Sequence, residues 1–246
     1  MDEARMTGFT DIHTHVLPGV DDGAENMDQA REMVRMAWES GTRTMILTPH
    51  HRGAYLKNTP DQLRTAFDAF CRDMHEAFPD MKFYLGHEVH CHEGFPERLT
   101  NGSAMTLCDS DYVLLEFRSG SLRSQVKKDV MKMIRYGFIP IIAHVERYDA
   151  FRKNPSLVEE MIELGALIQI NAGSVMGACG FGAKLFCGKL LKRGNVHFVA
   201  SDAHDTVVRT PVMRECYLRI VKKYGAEYAA KVFWQNAQAV IENEMI

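Results

Sequence analysis

Three features of the sequence predict a single α/β domain built as a parallel (β/α)7 barrel. Short apolar runs recur at intervals of roughly 30 residues, the length of a strand plus a crossover helix. Helical patterns separate them, and no Pro/Gly/Ser linker interrupts the series. The first four runs are FTDIH (Phe9–His13), TMILT (Thr44–Thr48), KFYLGHE (Lys82–Glu88) and YVLLE (Tyr112–Glu116). IPIIAH (Ile139–His144), LIQIN (Leu167–Asn171) and HFVASD (His197–Asp202) complete the seven. Each is rich in β-branched or aromatic residues and ends on polar ones. Between them, Met27 to Ser40 reads as a helix, and Thr59-Pro60-Asp61-Gln62 combines a capping Thr, a Pro at the first helical position and a Gln that closes a capping box. Ser156 with Glu159 repeats that pattern. Gly41, Gly137, Gly165, Gly194 and Gly225 fall where helical patterns stop, the place where a left-handed residue closes a helix. An open doubly wound sheet would carry a Gly-rich phosphate fingerprint after its first strand, and that fingerprint is missing.

Composition narrows the function. The 246 residues hold 29 Lys+Arg against 32 Asp+Glu, net −3, with no basic block, so nucleic acid is not an expected partner. No apolar run approaches the ~20 residues that span a bilayer. The opening MDEARMTGF carries acids where a signal peptide needs a basic and then an apolar stretch, so no membrane insertion and a cytoplasmic location are expected. The six cysteines form no CxxC pair and read as reduced thiols.

The strand ends carry the chemistry. His13 and His15 close the first run as an i, i+2 pair; alone this is a weak signal that two surface histidines would explain equally well. The other ends hold His50 and His51, Glu88, Glu116, His144, and Asp202 with His204; only the sixth, at Asn171, lacks a charged or imidazole group. In a parallel barrel all these positions face one rim, the carboxyl end where active sites are built. Carboxylates gathered at the ends of apolar strands need positive charge, and a metal supplies it. Imidazole and carboxylate without thiolate suit Mn, Fe or Zn, and so many ligands imply more than one ion.

The segments DIHTHVLPGVDDGAEN, LTPHHRGAY, LGHEVH, LLEF, AHVERY and SDAH resemble, in order, the tyrosine phosphatases of the polymerase and histidinol phosphatase (PHP) superfamily, the bacterial capsule and exopolysaccharide regulators. The resemblance runs from about Phe9 to the C-terminus, which leaves residues 1–8 as an extension and 9–246 as the phosphatase domain. It implies a distorted seven-stranded barrel with three divalent metal ions, manganese expected and iron or zinc the alternatives. By that carry-over His13, His15, Glu88 and Asp202 hold one ion, and Glu88 bridges to a second held by Glu116 and His144. Asp22, His50 and His204 hold the third, with Asp21 an alternative to Asp22. Arg147 and Arg209 match the family's phosphate-clamping arginines, and His51 is a candidate to orient a ligand from behind.

The implied activity is hydrolysis of phosphotyrosine by a metal-bound hydroxide, with the two arginines holding the phosphoryl oxygens. The implied partner is a phosphotyrosyl protein, the Tyr-rich tail of a bacterial tyrosine kinase in polysaccharide synthesis. The same barrel can instead serve histidinol phosphate or another small ester, or bind a kinase tail without cutting it. An amidohydrolase would need a metal-bridging Lys and a His where Glu116 and Asn171 stand. Cys187 and Arg193 have the Cys-x5-Arg spacing of a cysteine phosphatase, but the residues between them read as helix interior, not as a phosphate-cradling loop.

Overall fold

Nine short strands, paired in parallel throughout, wrap into a curled sheet in the computed structural model, which describes residues 8–53 and 58–246. They are β1 (Phe9–Thr14), β2 (Thr42–Leu47), β3 (His50–His51), β4 (Lys82–Leu85), β5 (Glu88–His90), β6 (Tyr112–Glu116), β7 (Ile139–Ile142), β8 (Leu167–Asn171) and β9 (Phe198–Ala200). One sheet runs β1-β2-β4 and the other β3-β5-β6-β7-β8-β9. Two of the seven expected strands are each broken in two. The second breaks at Thr48-Pro49, where proline has no N–H for the ladder, and pairing resumes when Glu88 N–H donates to Pro49 O. The third breaks at Gly86, whose N–H donates to Leu47 O; a Cβ there would stand 2.8 Å from Leu107 Cδ2. A parallel bridge, Thr14 to Ala203, joins the first and last strands, so the seven-run barrel closes at a seam of one bridge: a distorted barrel, as expected.

The seam is reinforced from inside. The Asp11 carboxylate, fully buried, accepts from Ser201 N–H (3.0 Å), from Ser201 Oγ (2.5 Å) and from His13 N–H (3.3 Å). In β1 the pairs Asp11–Met45 and Thr14–Leu47 leave one extra residue on the β1 side, a bulge. It lets Ile12 join the barrel interior while His13, the next residue, also turns to the site, which a regular period of two forbids.

The interior is filled by Ile12, Ile46, Leu114, Ile141 and Phe198, closed at the amino end by Ala237 and Val240. Helices α1 (Met27–Glu39) and α2 (Pro60–Ala77) cover one side, with the Thr59–Gln62 capping box formed as expected. Around the rest run α3 (Phe95–Thr100), α4 (Arg123–Arg135), α5 (Asp149–Lys153), α6 (Ser156–Glu163), α7 (Ala172–Met176), α8 (Gly180–Arg193), α9 (Arg214–Tyr224), α10 (Ala226–Ala230) and α11 (Asn236–Glu242). The glycines expected to end helices all have positive φ. Ser156 does not cap α6: Pro155 already has helical angles, φ −59 and ψ −26, so Ser156 lies inside the first turn, and Leu157 N–H donates to the Asn154 carbonyl. No helix among the described residues is long and apolar enough to cross a membrane. The extension expected at residues 1–8 lies, Gly8 apart, outside the described residues.

Removing the Asp11 carboxylate leaves three donors at the seam without a partner, each costing about 1–3 kcal/mol if it stays buried and unpaired. Asp11→Ala is expected to lower unfolding free energy by about 2–4 kcal/mol in chemical denaturation; a loss below about 0.5 kcal/mol contradicts this role for the seam.

Candidate metal centre

Every expected ligand reaches the carboxyl rim of the barrel. His13 Nε2 lies 3.2 Å from His15 Nε2, 3.3 Å from Glu88 Oε1 and 3.4 Å from Asp202 Oδ1. His15 Nε2 is 3.4 Å from Glu88 Oε2 and 3.6 Å from Asp202 Oδ1. Glu88, fully buried, stands at the centre: His144 Nε2 donates to its Oε1 at 2.9 Å, and its Oε2 lies 2.8 Å from His50 Nδ1. Glu116 Oε2 is 3.7 Å from that same His50 nitrogen, and Asp22 Oδ1 is 3.1 Å from His50 Nε2 and 3.7 Å from His204 Nε2. Four sets of these groups can each hold an ion: His15, Asp22, His50, His204; His13, His15, Glu88; His13, His144, Asp202; and His50, Glu88, Glu116.

The hydrogen bonds behind the cluster fix which imidazole nitrogens face it. The backbone N–H of His144 donates to Gln169 Oε1 at 2.7 Å, so that oxygen is an acceptor and His13 Nδ1, 3.2 Å away, must carry the proton. Asp21 Oδ2 takes the His15 Nδ1 proton at 2.7 Å, and the Asp202 carbonyl takes that of His204 Nδ1 at 3.0 Å. In its neutral form each of the three rings therefore turns an Nε2 lone pair toward the cluster. Asp21 thus bonds to the far side of the His15 ring, while Asp22 stands with the groups that could hold an ion. From Gln169 the chain of bonds continues to Asn171 Oδ1 (2.8 Å) and from Asn171 Nδ2 to Asp202 Oδ2 (2.8 Å).

The site residues fit divalent ions. Buried polar atoms are normally paired, yet Glu116 Oε2 and His204 Nε2 are buried here without a hydrogen-bond partner. Burial alone would push the His13 imidazole down, but Glu88 and Asp202 hold it up at about 9. Burial would likewise depress His50, which its bonds to Asp22 and Glu88 raise to about 10. Arg52 Nη2 also approaches His50 Nε2, at 2.8 Å; that nitrogen can donate to Asp22 or accept from Arg52, not both. Burial and the charge on Glu88 raise Glu116. Burial and His15 lower His204 to about 3, so it stays neutral. This is an acidic pocket drawing protons onto its imidazoles, a job that ions would take over.

Arg147 Nη1 donates to Asp202 Oδ2 (2.9 Å) and Arg209 Nη2 to Oδ1 (2.6 Å), so both arginines stand over one buried carboxylate at the mouth of the cluster. His144 and Asp202 are non-glycine residues with φ of 32° and 54°, backbone strain of the kind found at functional sites. His51 points away from the cluster, as the residue after an inward His50 must, and its ring packs with His87 (5.2 Å) and His92 (5.8 Å). Burial lowers His51 to about 4, and no expected ligand touches it. Cys187 is buried inside α8, where burial pushes its thiol up, so the Cys-x5-Arg spacing carries no chemistry. Sequence reasoning missed Asp11, Gln169 and Arg52, held Asp21 only as an alternative ligand and gave the strand end at Asn171 no role. The signal for two of them was legible: in LIQIN, Gln169 and Asn171 are polar at period two on an apolar strand.

Comparison with known proteins agrees. A family model described as "Capsular polysaccharide synthesis, CpsB/CapC" matches residues 9–242. The chain is 34% identical over 236 residues to the tyrosine-protein phosphatase YwqE of Bacillus subtilis, covering 96% of this chain and 92% of that one. It is 32% identical over 241 residues to the tyrosine-protein phosphatase CpsB of Streptococcus pneumoniae, covering 96% and 99%. It also superimposes with a TM-score of 0.90, at 33% identity and 96% coverage of both chains, on a crystal structure from a study of those two proteins, described as unique metal-dependent tyrosine phosphatases.

Two outcomes follow from the hydrogen-bond directions and charges. Gln169→Leu frees the His13 ring to turn and is expected to weaken divalent-ion affinity about 10–100-fold while the chain stays folded, read by calorimetric titration. His13, held at about 9, must give up its second proton to bind an ion. Ion binding near pH 7 therefore releases protons, and affinity rises as pH climbs toward 9 and falls as pH drops. Titration in buffers of different ionisation enthalpy reads this directly, and heats independent of buffer contradict it.

Proposed function

The chain belongs to the capsular polysaccharide synthesis CpsB/CapC family, and on that premise we propose that it is a metal-dependent protein-tyrosine phosphatase. The observation that carries the reading is the pair Arg147 and Arg209, each bonded to a different oxygen of Asp202 at the mouth of a buried imidazole–carboxylate cluster. His13, His15, Glu88 and Asp202 would hold one ion, Glu88, Glu116 and His144 a second, and Asp22, His50 and His204 a third. Donors of nitrogen and oxygen without thiolate suit manganese, iron or zinc, and manganese is the ion the family resemblance implies. Bound as a pair, such ions activate the attacking water and draw charge from the phosphoryl oxygens.

The rest falls to the chain's own side chains. Asp202 uses one N–H from each guanidinium, which leaves further donors on both arginines for the phosphoryl oxygens. Asn171 and Gln169 keep Asp202 and His13 from turning as charge shifts. His204, lowered to about 3, carries no second proton at neutral pH and acts as a ligand, not as an acid. A tyrosyl leaving group, with an ordinary pKa near ~10, departs with less protonation than a seryl alkoxide, so a site without a strong acid favours it. The phosphoprotein would be the Tyr-rich tail of a bacterial tyrosine kinase that controls polysaccharide assembly, met in the cytoplasm. Residues 9–246 would form the whole phosphatase domain.

The test is phosphate release from phosphotyrosyl, phosphoseryl and phosphothreonyl peptides and histidinol phosphate. Metal-stripped protein is expected to be inactive and manganese to restore activity with tyrosyl preference. Arg147→Ala should lower kcat/KM by about 10²–10³, the size of losing a donor aimed at transition-state charge. Activity equal with and without metal overturns the mechanism, and a preference for histidinol phosphate overturns the substrate.

A further inference from the structure

The last rim loop holds a feature that the metal cluster and the arginines leave unused. Val207 and Val208 are adjacent, and their relative exposures are 82% and 79%. They do not sit on a loose loop. Asp205 Oδ1 accepts from the N–H groups of Val207 (2.6 Å) and Val208 (2.5 Å), and both Asp205 oxygens accept from Arg209 N–H (3.3 and 3.2 Å). The Arg209 carbonyl in turn accepts from His204 N–H (2.9 Å) and Asp205 N–H (3.2 Å). The turn from His204 to Arg209 is therefore tied at both ends. One end supplies a group of the metal cluster and the other a guanidinium on Asp202.

We propose that Val207 and Val208 form a fixed apolar shelf beside Arg209, and that it receives the aryl ring of a phosphotyrosyl peptide. This deepens the phosphatase reading and rests on it. Consecutive Cα atoms are about 3.8 Å apart, so the valines stand one and two residues from the arginine that would hold the phosphoryl group. A phosphotyrosine carries a flat apolar ring between phosphate and backbone, which gains by covering exposed valine. A phosphoserine brings its polar backbone to the same place and gains nothing. Another rim loop carries an apolar side chain too: Leu122, between β6 and α4, is 71% exposed. By contrast, two cations in the first turns of α4, Arg123 and Lys127, both lie on Glu160.

The experiment compares wild type, the V207S/V208S double variant and the conservative V207I/V208I variant, all loaded with manganese. Each is assayed on a phosphotyrosyl peptide and on glycerol phosphate, an alkyl ester. The serine variant is expected to narrow the ratio of kcat/KM between the two substrates about tenfold, through KM for the peptide, and the isoleucine variant to keep it. An unchanged ratio in the serine variant overturns the shelf. So does a changed sedimentation coefficient without a changed ratio, because the valines then cover a second copy of the chain. If the wild type does not hydrolyse the phosphotyrosyl peptide at all, the phosphatase reading fails instead, and the two failures are distinct.

Discussion

The structure is organised around one electrostatic constraint: Glu88 is a fully buried carboxylate at the mouth of an apolar barrel, and its charge has to be answered there. The answer comes from His13, His15, His50 and His144, all within 3.4 Å of its two oxygens. Those contacts hold Glu88 well below the usual carboxylate range against the opposing effect of burial. The carboxylates that hold His13 up at about 9, Glu88 and Asp202, stand among the groups that could hold a cation. Glu116, pushed up by burial and by Glu88, belongs to the same demand from the other side.

Around that centre, specificity of geometry comes from directional hydrogen bonds more than from the ligands themselves. The single N–H of His144 dictates the orientation of Gln169, which dictates the tautomer of His13; the same amide passes through Asn171 to Asp202. Two arginines then reach Asp202 from the rim. The clustered imidazoles and carboxylates, the amides behind them and the two arginines are therefore one connected network, and a change at β8 is felt at a residue from β1. The bulge in β1 and the left-handed angles at His144 and Asp202 are local costs, each about 1–3 kcal/mol for the strained residues. The closed barrel and its seam at Asp11 and Ser201 hold them in place.

Much of this was legible in the linear order of residues. Seven apolar runs each ending on a polar residue determined a parallel α/β domain, because strand spacing and crossover length leave few topologies. The ligand types were legible for the same reason: His13, His15, His50, Glu88, Glu116, His144, Asp202 and His204 stand at or just beyond strand ends, and one rim must gather them. DDGA placed Asp22 beside Asp21 without distinguishing them. What only the tertiary structure decided depends on which atom faces which. It took the Asp21 bond to His15, the turn of His51 away from the site and the break of the third run at Gly86. It also took the bonds of Gln169 to His13 and of Asn171 to Asp202, partners that the polar period of LIQIN does not name. Spacing along the chain fixes which strand end a residue occupies, but hydrogen-bond direction and side-chain facing depend on neighbours up to 190 residues away, as Asp11 and Ser201 are.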